Sequence, residues 1–252
     1  MYGLCLVLGI ALSVLIGEKL CRIKQLDLHA YWRAVFFGLV AGVLGARLYH
    51  VIDRMNYFIT YPWEIFEVWR GGLGIWGGII GGAFGVFVSI GGGRKALIYF
   101  DILAIVAPLA QAVGRWGNFF NLELFGYPTT LPWGIYVPRD FRPTSFMYYE
   151  RFHPLFIYES ILDFLLFIFL YKFSTRRGVF KTKVWGLPGV PTALYLVGYS
   201  SIRIPLEFMR PERWEFLGVP VAVVLSTMLS IASIVYLYKS IKVFLQKRTS
   251  FD

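Results

Sequence analysis

Apolar residues fill most of this chain in runs long enough to cross a lipid bilayer, and short polar segments separate them. A transmembrane helix needs roughly 17–25 mostly apolar residues. Seven such runs can be laid out, of which the third and the sixth are interrupted by glycine and proline. The pattern predicts an all-α polytopic membrane protein with about seven transmembrane helices. The runs are residues 2–17, 34–52, 72–91, 96–114, 154–171, 185–204 and 219–238.

The composition supports the membrane class. The 252 residues are 57% hydrophobic and 19% aromatic, and only 16% are charged, which is unusual for a soluble domain. The chain has no internal repeat, low-complexity tract or soluble linker, so we expect residues 1–252 to form a single integral-membrane domain. The first run lacks a basic start and an A-x-A-like site, so we interpret it as a retained helix rather than a cleaved signal peptide.

The net charge of +10 is distributed unevenly. All nine lysines lie in segments 18–33, 92–95, 172–183 and 239–252, where fifteen cations and three acids give a net +12 and leave −2 for the rest. These basic segments alternate with the others along the seven runs. The positive-inside bias therefore predicts an outer N-terminus and a cytoplasmic C-terminus. Nucleic-acid binding is not expected, because no nucleic-acid motif accompanies the positive charge.

Two long segments on the predicted outer side, 53–70 and 127–153, are rich in aromatic residues and proline. The tripeptides Tyr-Pro-Trp at 61–63 and Leu-Pro-Trp at 131–133 suit the headgroup level of a bilayer, where Trp and Tyr prefer to lie. We therefore expect interfacial arms on the outer side, which serve either as anchors or in substrate handling.

Small residues recur at four-residue spacing in the second and third runs. This spacing lets helix backbones approach each other closely in lipid. It predicts tight packing of these two helices in preference to a ligand site at the glycines. The three series are Gly38, Gly42 and Ala46; Gly74, Gly78 and Gly82; and Gly77, Gly81 and Gly85.

A polar cluster, G-R-W-G-N-F-F-N-L-E-L-F-G, follows the fourth run at residues 114–126. Polar groups at membrane depth are costly and usually face a bundle interior or a wet cavity. Arg115 offers a planar fork of donors that suits a phosphate, and Glu123 could orient an arginine or accept a proton. The flanking Gly114 and Gly117 allow the backbone there to leave helical geometry. The cluster is either a functional site or an Arg–Glu pair that locks two helices.

A second polar stripe, formed by Tyr199, Arg203 and Glu207, lies at the end of the sixth run. Spacing of four residues places the three side chains on one helix face, where Glu207 can hold Arg203. Alternatively, Arg203 extends its charge to the membrane surface. Two arginines near the outer ends of separate helices predict a site for an anionic lipid headgroup in the outer leaflet.

Other polar residues carry weaker signals. His153 and Glu159 flank the start of the fifth run, and Arg47 and His50 lie one turn apart at the outer end of the second; both sets are also compatible with polar pairing in the core. Cys5 and Cys21 are about 24 Å apart on one helix, too far for a disulfide. No metal-type spacing of Cys and His occurs, so no metal site is expected.

The cluster at 114–126 resembles the signature of the prolipoprotein diacylglyceryl transferase family, G-R-x-G-N-x-x-N-x-E-x-x-G, and meets every defined position. The resemblance continues in the same order over nearly the whole chain. The family also has seven spans with an outer N-terminus, as the charge distribution predicts here. The further matching segments are residues 2–4, 45–48, 71–73, 153–159 and 199–210.

The resemblance implies a multi-pass enzyme of the bacterial plasma (inner) membrane with its active site facing the outer leaflet. Such enzymes transfer the diacylglyceryl group of phosphatidylglycerol to the lipobox cysteine thiol in the signal peptide of a preprolipoprotein. The products are a thioether and glycerol 1-phosphate. The resemblance implies no cofactor and no metal, and we expect a monomer in the lipid bilayer.

The resemblance also suggests roles for single residues. We expect Arg115 and Arg203 to contact the phosphate, because preplaced positive charge stabilises the charge that develops on a leaving group. Glu207 and Glu123 are expected to orient the two arginines, which makes these four residues the catalytic candidates. The expected substrate-binding residues are Asn118, Asn121, Gly126, Tyr199, Tyr2, Arg47, His153, Tyr158 and Trp76.

The chain departs from the family pattern at two places. Trp76-Gly77-Gly78 stands where many members have His-Gly-Gly, whose histidine is often assigned a catalytic role. An indole only donates a hydrogen bond and cannot act as a base. Either the histidine is dispensable, or another group, such as His153, Glu123 or a water, takes the proton of the thiol. Family members also usually carry an outer arm before Tyr-Gly-Leu, and only Met1 precedes Tyr2 here.

Two other classes of protein fit parts of the pattern. A transporter or flippase for anionic phospholipid would also use buried arginines and glycine-rich helices, but it should show repeat symmetry, and the sequence contains none. A membrane-anchored assembly protein would use the same charges only as structural ion pairs.

Overall fold

The computed structural model describes residues 1–175 and 187–249, and within them the regular structure is almost wholly helical. Two small antiparallel sheets, β1–β2 and β3–β4, and four short 3₁₀ segments complete it. The elements are α1 (Tyr2–Ile23), α2 (Leu28–Asp53), α3 (Met55–Thr60), α4 (Ile75–Ile90), α5 (Gly93–Phe120), β1 (Ile135–Tyr136), β2 (Arg151–Phe152), α6 (Leu155–Thr175), α7 (Val190–Phe208), β3 (Glu215–Phe216), β4 (Val219–Pro220) and α8 (Val221–Thr249).

The prediction of an all-α protein is confirmed, and each predicted apolar run overlaps one long helix. By length and composition, α1, α2, α5 and the Val221–Phe244 part of α8 could cross a membrane, and the 16-residue α4 is shorter. Charged side chains lower the apolar character of α6 and α7. Parts of three predicted segments lie outside the described residues: 185–186 of the sixth run, and 176–183 and 250–252 of two basic segments.

Helix α5 continues through Gly114 and Gly117 to Phe120, so the departure from helical geometry that these glycines allow does not occur at residues 114–117. A helix satisfies its own backbone hydrogen bonds, which matters most where water is scarce. Gly117 instead permits close packing, because a Cβ atom there would lie 2.6 Å from Cδ2 of Tyr2. The irregular backbone begins later, where Leu122 and Leu124 have φ angles of 54° and 61°.

The chain forms two compact units, one of residues 18–100 and the other of residues 1–17 with 101–252. In the first unit, α2 and α4 pack along their glycines, which confirms the predicted tight contact. A Cβ atom on Gly42 would lie 3.4 Å from the carbonyl oxygen of Gly78, and one on Gly38 would lie 2.9 Å from Cγ2 of Val86. The two backbones therefore approach closely at Gly42, and the Val86 side chain packs into the space that Gly38 leaves.

This packing predicts that two glycines one turn apart on α4 respond differently to alanine. A Cβ atom on Gly81 would meet the carbonyl oxygen of Ala41 and lie 3.1 Å from Cα of Gly45, whereas one on Gly78 would lie 3.6 Å from Cβ of Ala46. Overpacking of this kind costs about 1–3 kcal/mol. We expect Gly81→Ala to lower the thermal unfolding midpoint in detergent and Gly78→Ala to leave or raise it. Equal midpoints for the two variants would contradict the observed helix contact.

The second unit is held together by polar contacts between distant parts of the chain. The Asp101 carboxylate on α5 accepts hydrogen bonds from the backbone N–H of Gly189, at 2.7 Å, and of Thr192, at 3.0 Å, and so caps the start of α7. The Tyr236 hydroxyl of α8 donates to the Pro188 carbonyl at 2.6 Å. Helix α7 packs against both α6 and α8, which places its polar stripe inside this unit.

Candidate active site

A buried set of ion pairs joins α5, α6 and α7 in the second unit. Arg115 of α5 pairs with Oε1 of Glu159 on α6, while Nη1 of Arg203 on α7 lies 3.6 Å from Oε2 of the same carboxylate. Nη2 of Arg203 lies 2.6 Å from Oε2 of Glu207, and Nη1 of Arg210 lies 3.5 Å from that oxygen. We call these five residues the arginine cluster.

The cluster is buried at its carboxylates and more open at its cations. The side chains of Glu159 and Glu207 are 1% and 3% exposed, whereas those of Arg115, Arg203 and Arg210 are 23%, 14% and 30% exposed. Charge-assisted hydrogen bonds to the buried carboxylates hold the guanidinium groups in place. The remaining donors of the arginines are therefore preoriented for an anion.

The predicted pairing of Arg203 with Glu207 is confirmed. The predicted pairing of Glu123 with an arginine is not observed within the described residues, and the carboxylate that Arg115 contacts is Glu159. Sequence reasoning noted Glu159 near the start of α6 without assigning it to the site. The available signal was a carboxylate on an otherwise apolar helix.

Glu123 belongs to a different environment from Arg115. It is exposed, its Oε1 accepts a hydrogen bond from Nδ2 of Asn121 at 2.7 Å, and its backbone N–H donates to the carbonyl of Asn118 at 3.0 Å. The signature therefore divides into two parts. Arg115 on α5 reaches the arginine cluster, and Asn121 with Glu123 forms a separate polar group beyond the end of the helix.

Gly126 fixes the segment after the signature against the ends of α6 and α7. Its N–H donates to the His153 carbonyl at 2.8 Å, and the next N–H, of Tyr127, donates to the Met209 carbonyl at 3.1 Å. A Cβ atom on Gly126 would lie 3.0 Å from both Cβ of His153 and the Met209 oxygen. This position requires glycine for packing, and substrate contact there stays a prediction.

A cavity of about 240 Å³ lies beside the arginine cluster. The end of the signature, the segment at 127–153 and the segment after α7 each supply part of its wall. Arg210 belongs to both the wall and the cluster, because its guanidinium also contacts Glu207. The lining residues are Leu122, Glu123, Leu124, Phe125, Phe141, Pro143, Arg210, Pro211 and Glu212.

One turn further along α6, Asp163 is fully buried, and neither of its carboxylate oxygens has a hydrogen-bond partner among the described residues. Within the same residues, Oε1 of Gln111 and Nε of Arg115 are buried without partners as well. The Tyr199 ring, predicted to line the site, stacks on Tyr195 with 6.0 Å between centroids. Sequence reasoning missed Asp163, which an i+4 spacing from Glu159 would have indicated.

His153, Tyr158 and Trp133 form a hydrogen-bonded triad, which brings two predicted site residues together. Nε1 of Trp133 donates to the Tyr158 hydroxyl at 2.8 Å, and this hydroxyl lies 3.1 Å from Nδ1 of His153. Because an indole only donates, the Tyr158 oxygen is the acceptor in the first bond and its hydrogen is available for Nδ1. The contact between Nδ1 of His153 and the Tyr158 hydroxyl leaves Nε2 as the ring nitrogen outside the triad.

Arg47 and Trp76 lie in the first unit, where Arg47 is buried. Its guanidinium donates to several backbone carbonyls of the arm after α2 and lies 5.3 Å from the centroid of the Phe58 ring. These contacts fasten the arm, and a substrate contact by Arg47 stays a prediction. Trp76 is half-buried in the first turn of α4. The carbonyl acceptors are those of Ile65 at 2.8 Å, Gly71 at 2.8 Å, Gly72 at 3.2 Å and Glu64.

The arm that Arg47 fastens exposes large aromatic side chains. Trp63 and Trp69 are 82% and 75% exposed. In the same arm, the Tyr57 hydroxyl donates to Oε2 of Glu64 at 2.7 Å, and this hydrogen bond raises the pKa of Tyr57. In the other unit, the exposed Tyr2 begins α1 and packs its ring against Gly117.

The helices and the cluster together define the class of protein. Long apolar helices indicate a membrane protein, and preoriented arginines at the ends of two of its helices indicate a site for an anion. Within the described residues, no group of three or more His, Cys, Asp or Glu side chains is placed to hold a metal ion.

Comparison with known proteins identifies the family. The family model described as prolipoprotein diacylglyceryl transferase matches residues 1–239, so the chain belongs to this family and is a transferase. Three similar proteins are named phosphatidylglycerol–prolipoprotein diacylglyceryl transferase. The one from Fervidobacterium nodosum is 42% identical over 211 residues, 83% of this chain and 70% of that protein. The one from Thermotoga maritima is 35% identical over 90% of this chain and 76% of its own length. The one from Synechococcus elongatus is 35% identical over 84% of this chain and 73% of its own length.

Proposed function

We propose that this protein transfers the diacylglyceryl group of phosphatidylglycerol to the lipobox cysteine of a preprolipoprotein. The family supplies the reaction class, and the names of the relatives contain both substrates. The observation that carries the proposal is the pair Arg115 and Arg203, two guanidinium groups from separate helices that share the buried Glu159 carboxylate. Such a pair suits the phosphate of a lipid headgroup.

The proposed reaction is a substitution at a glyceryl carbon. The cysteine thiol passes its proton to an acceptor, for which His153, Glu123 and a water are the candidates, and the thiolate sulfur attacks the diacylglyceryl carbon that is bonded to the phosphate oxygen. A carbon–sulfur bond forms and the carbon–oxygen bond breaks, so the electron pair leaves with glycerol 1-phosphate. The peptide product is a thioether.

The charges of the arginine cluster suit this step. Its ion-paired groups are three arginines and two glutamates, which leave one positive charge for the single negative charge of a phosphodiester. During the substitution, a second negative charge develops on the leaving phosphate. Fixed donors in a water-poor site stabilise this charge without having to reorganise.

The remaining site residues have supporting roles in the proposal. Glu207 and Glu159 orient the arginines, while Asn118, Asn121 and Tyr199 complete the polar pocket. Tyr2, Arg47 and Trp76 contact the lipid or the signal peptide. His153, which the triad holds through Nδ1, presents Nε2 towards the substrate.

The proposed setting is the bacterial plasma membrane. The seven long helices span it with the N-terminus outside and the C-terminus in the cytoplasm, as the charge distribution predicts. The arginine cluster then lies at the outer leaflet. The exposed tryptophans of the arm at 55–70 suit an interfacial position of that arm, because Trp side chains favour the headgroup level.

A reconstituted transfer assay tests the proposal. Purified protein is incubated with phosphatidylglycerol and a peptide that contains a lipobox cysteine, and the peptide is analysed by mass spectrometry. We expect the mass of one diacylglyceryl group to appear on the cysteine, and a Cys→Ser peptide should remain unmodified. Movement of lipid between leaflets without any modified peptide would contradict the proposal and favour a phospholipid transporter.

A further inference from the structure

The cavity beside the arginine cluster is the right size for a small polar molecule. Its volume of about 240 Å³ equals that of roughly eight waters at their liquid volume of about 30 Å³. Pockets that enclose drug-sized ligands are larger, at about 300–1,000 Å³. Two acyl chains need more space than this, and the charged side chains in the wall favour a polar occupant.

The wall of the cavity offers both donors and acceptors. Within the described residues, the side chain of Arg210 contacts one acceptor, Oε2 of Glu207 at 3.5 Å, and its other N–H groups remain to bind an anion. Glu123, oriented by Asn121, and Glu212 add carboxylate oxygens that accept hydrogen bonds from hydroxyl groups. The aromatic and proline side chains supply apolar surface for the C–H groups of a small polyol.

The backbone of the cavity wall adopts an unusual conformation at two residues. Leu122 and Leu124 have positive φ angles of 54° and 61° although neither is glycine. Such conformations cost of order 1–3 kcal/mol each and often occur at binding sites. The turn that they form brings the Glu123 side chain into the wall of the cavity.

One shared oxygen connects the cavity to the proposed phosphate site. Oε2 of Glu207 is contacted by Nη2 of Arg203 at 2.6 Å and by Nη1 of Arg210 at 3.5 Å. A phosphate bound at Arg203 therefore has Arg210 and the cavity on one side. The phosphate of phosphatidylglycerol carries a diacylglyceryl group and a glycerol group. The glycerol group is the smaller and more polar of the two, and it suits the cavity.

We propose that this cavity is the leaving-group subsite, which binds a short polyol phosphate through Arg210 and holds its hydroxyl groups at Glu123 and Glu212. The inference rests on the proposed function, since it assigns the glycerol end of the donor lipid to this place. Asn121 acts as a positioning residue, because it fixes the carboxylate of Glu123.

The test is inhibition of the transfer assay by added glycerol 1-phosphate, together with its binding to the detergent-purified protein by calorimetry. Glu123→Gln, Glu212→Gln and Phe141→Trp each change the wall of the cavity. We expect each variant to raise the inhibition constant at least tenfold, in parallel with the dissociation constant. Glu215→Gln, on β3 outside the cavity, is the matched control and should keep the wild-type constants. Thermal unfolding identifies any variant that does not fold, and the other two variants then decide the test.

Two further probes define the ligand class. Glycerol 1-phosphate should inhibit more strongly than inorganic phosphate or phosphoethanolamine, because only the polyol presents several hydroxyl groups to the carboxylates. Unchanged constants in the folded variants, or stronger inhibition by phosphoethanolamine, would overturn the inference while wild-type transfer continues. If the wild-type protein transfers no diacylglyceryl group, the proposed function itself fails.

Discussion

We expect an Arg203→Lys variant to lose about 10²–10³-fold in kcat/KM for transfer, the loss that follows removal of one preorganised donor at a developing charge. Lysine keeps the positive charge but not the planar fork that addresses two acceptors at once. In the structure, Arg203 uses separate nitrogens for Glu159 and Glu207. A single ammonium group cannot hold both carboxylates and a phosphate in the same geometry.

Arg115→Lys should behave in the same way, since this arginine reaches the other oxygen of Glu159. The matched control is Arg213→Lys, because Arg213 pairs with Glu215 outside the arginine cluster, at 2.7 Å. Initial rates over a range of phosphatidylglycerol concentrations measure the effect. If both cluster variants kept wild-type kcat/KM, the assignment of these arginines to the phosphate would be wrong.

The second large effect concerns stability. Glu159→Gln should destabilise the protein by about 3–5 kcal/mol, the usual cost of removing one partner from a buried ion pair, and should abolish transfer. The carboxylate is 1% exposed and contacts arginines from two helices. A neutral amide would no longer balance the positive charges of Arg115 and Arg203, and the contact of α6 with α5 and α7 would weaken.

Asp163→Asn is the matched control for this change, because it makes the same carboxylate-to-amide replacement one turn along the same helix. Asp163 is fully buried and its oxygens have no hydrogen-bond partner among the described residues. Asp163→Asn breaks no direct hydrogen bond among the described residues, so we expect it to cost less than Glu159→Gln. Thermal or denaturant unfolding in detergent should separate the two variants. Equal destabilisation by both would show that the ion pairs of Glu159 contribute nothing specific.

The sequence predicted the parts of the fold that depend on local patterns. Runs of apolar residues gave the positions of the long helices, because bilayer thickness sets their length. Four-residue spacing of glycines predicted the contact of α2 with α4, and the spacing of Arg203 and Glu207 predicted their ion pair. Each of these features depends on residues that share one helix or one pair of faces.

The parts of the site that were missed depend on contacts between distant helices. Glu159 is 44 residues from Arg115 along the chain, and no spacing rule connects them. Glu123 was expected beside an arginine because Arg115 and Glu123 lie in one signature. Helix α5 ends at Phe120, so Arg115 lies on the helix and Glu123 lies beyond it in a different environment. The charged side chains that form the site also lower the mean hydropathy of α6 and α7. These two helices are therefore harder to recognise from the sequence as membrane-spanning.

The most direct test of the proposed reaction is to measure both of its products in one experiment. Phosphatidylglycerol with an isotopic label in the headgroup glycerol is incubated with the protein and a lipobox peptide, and the modified peptide and the released headgroup are counted together. The account predicts one labelled glycerol 1-phosphate for each diacylglyceryl peptide. Label that stays in the lipid, or label that appears on the peptide, would contradict substitution at the diacylglyceryl carbon with the phosphate held by Arg115 and Arg203.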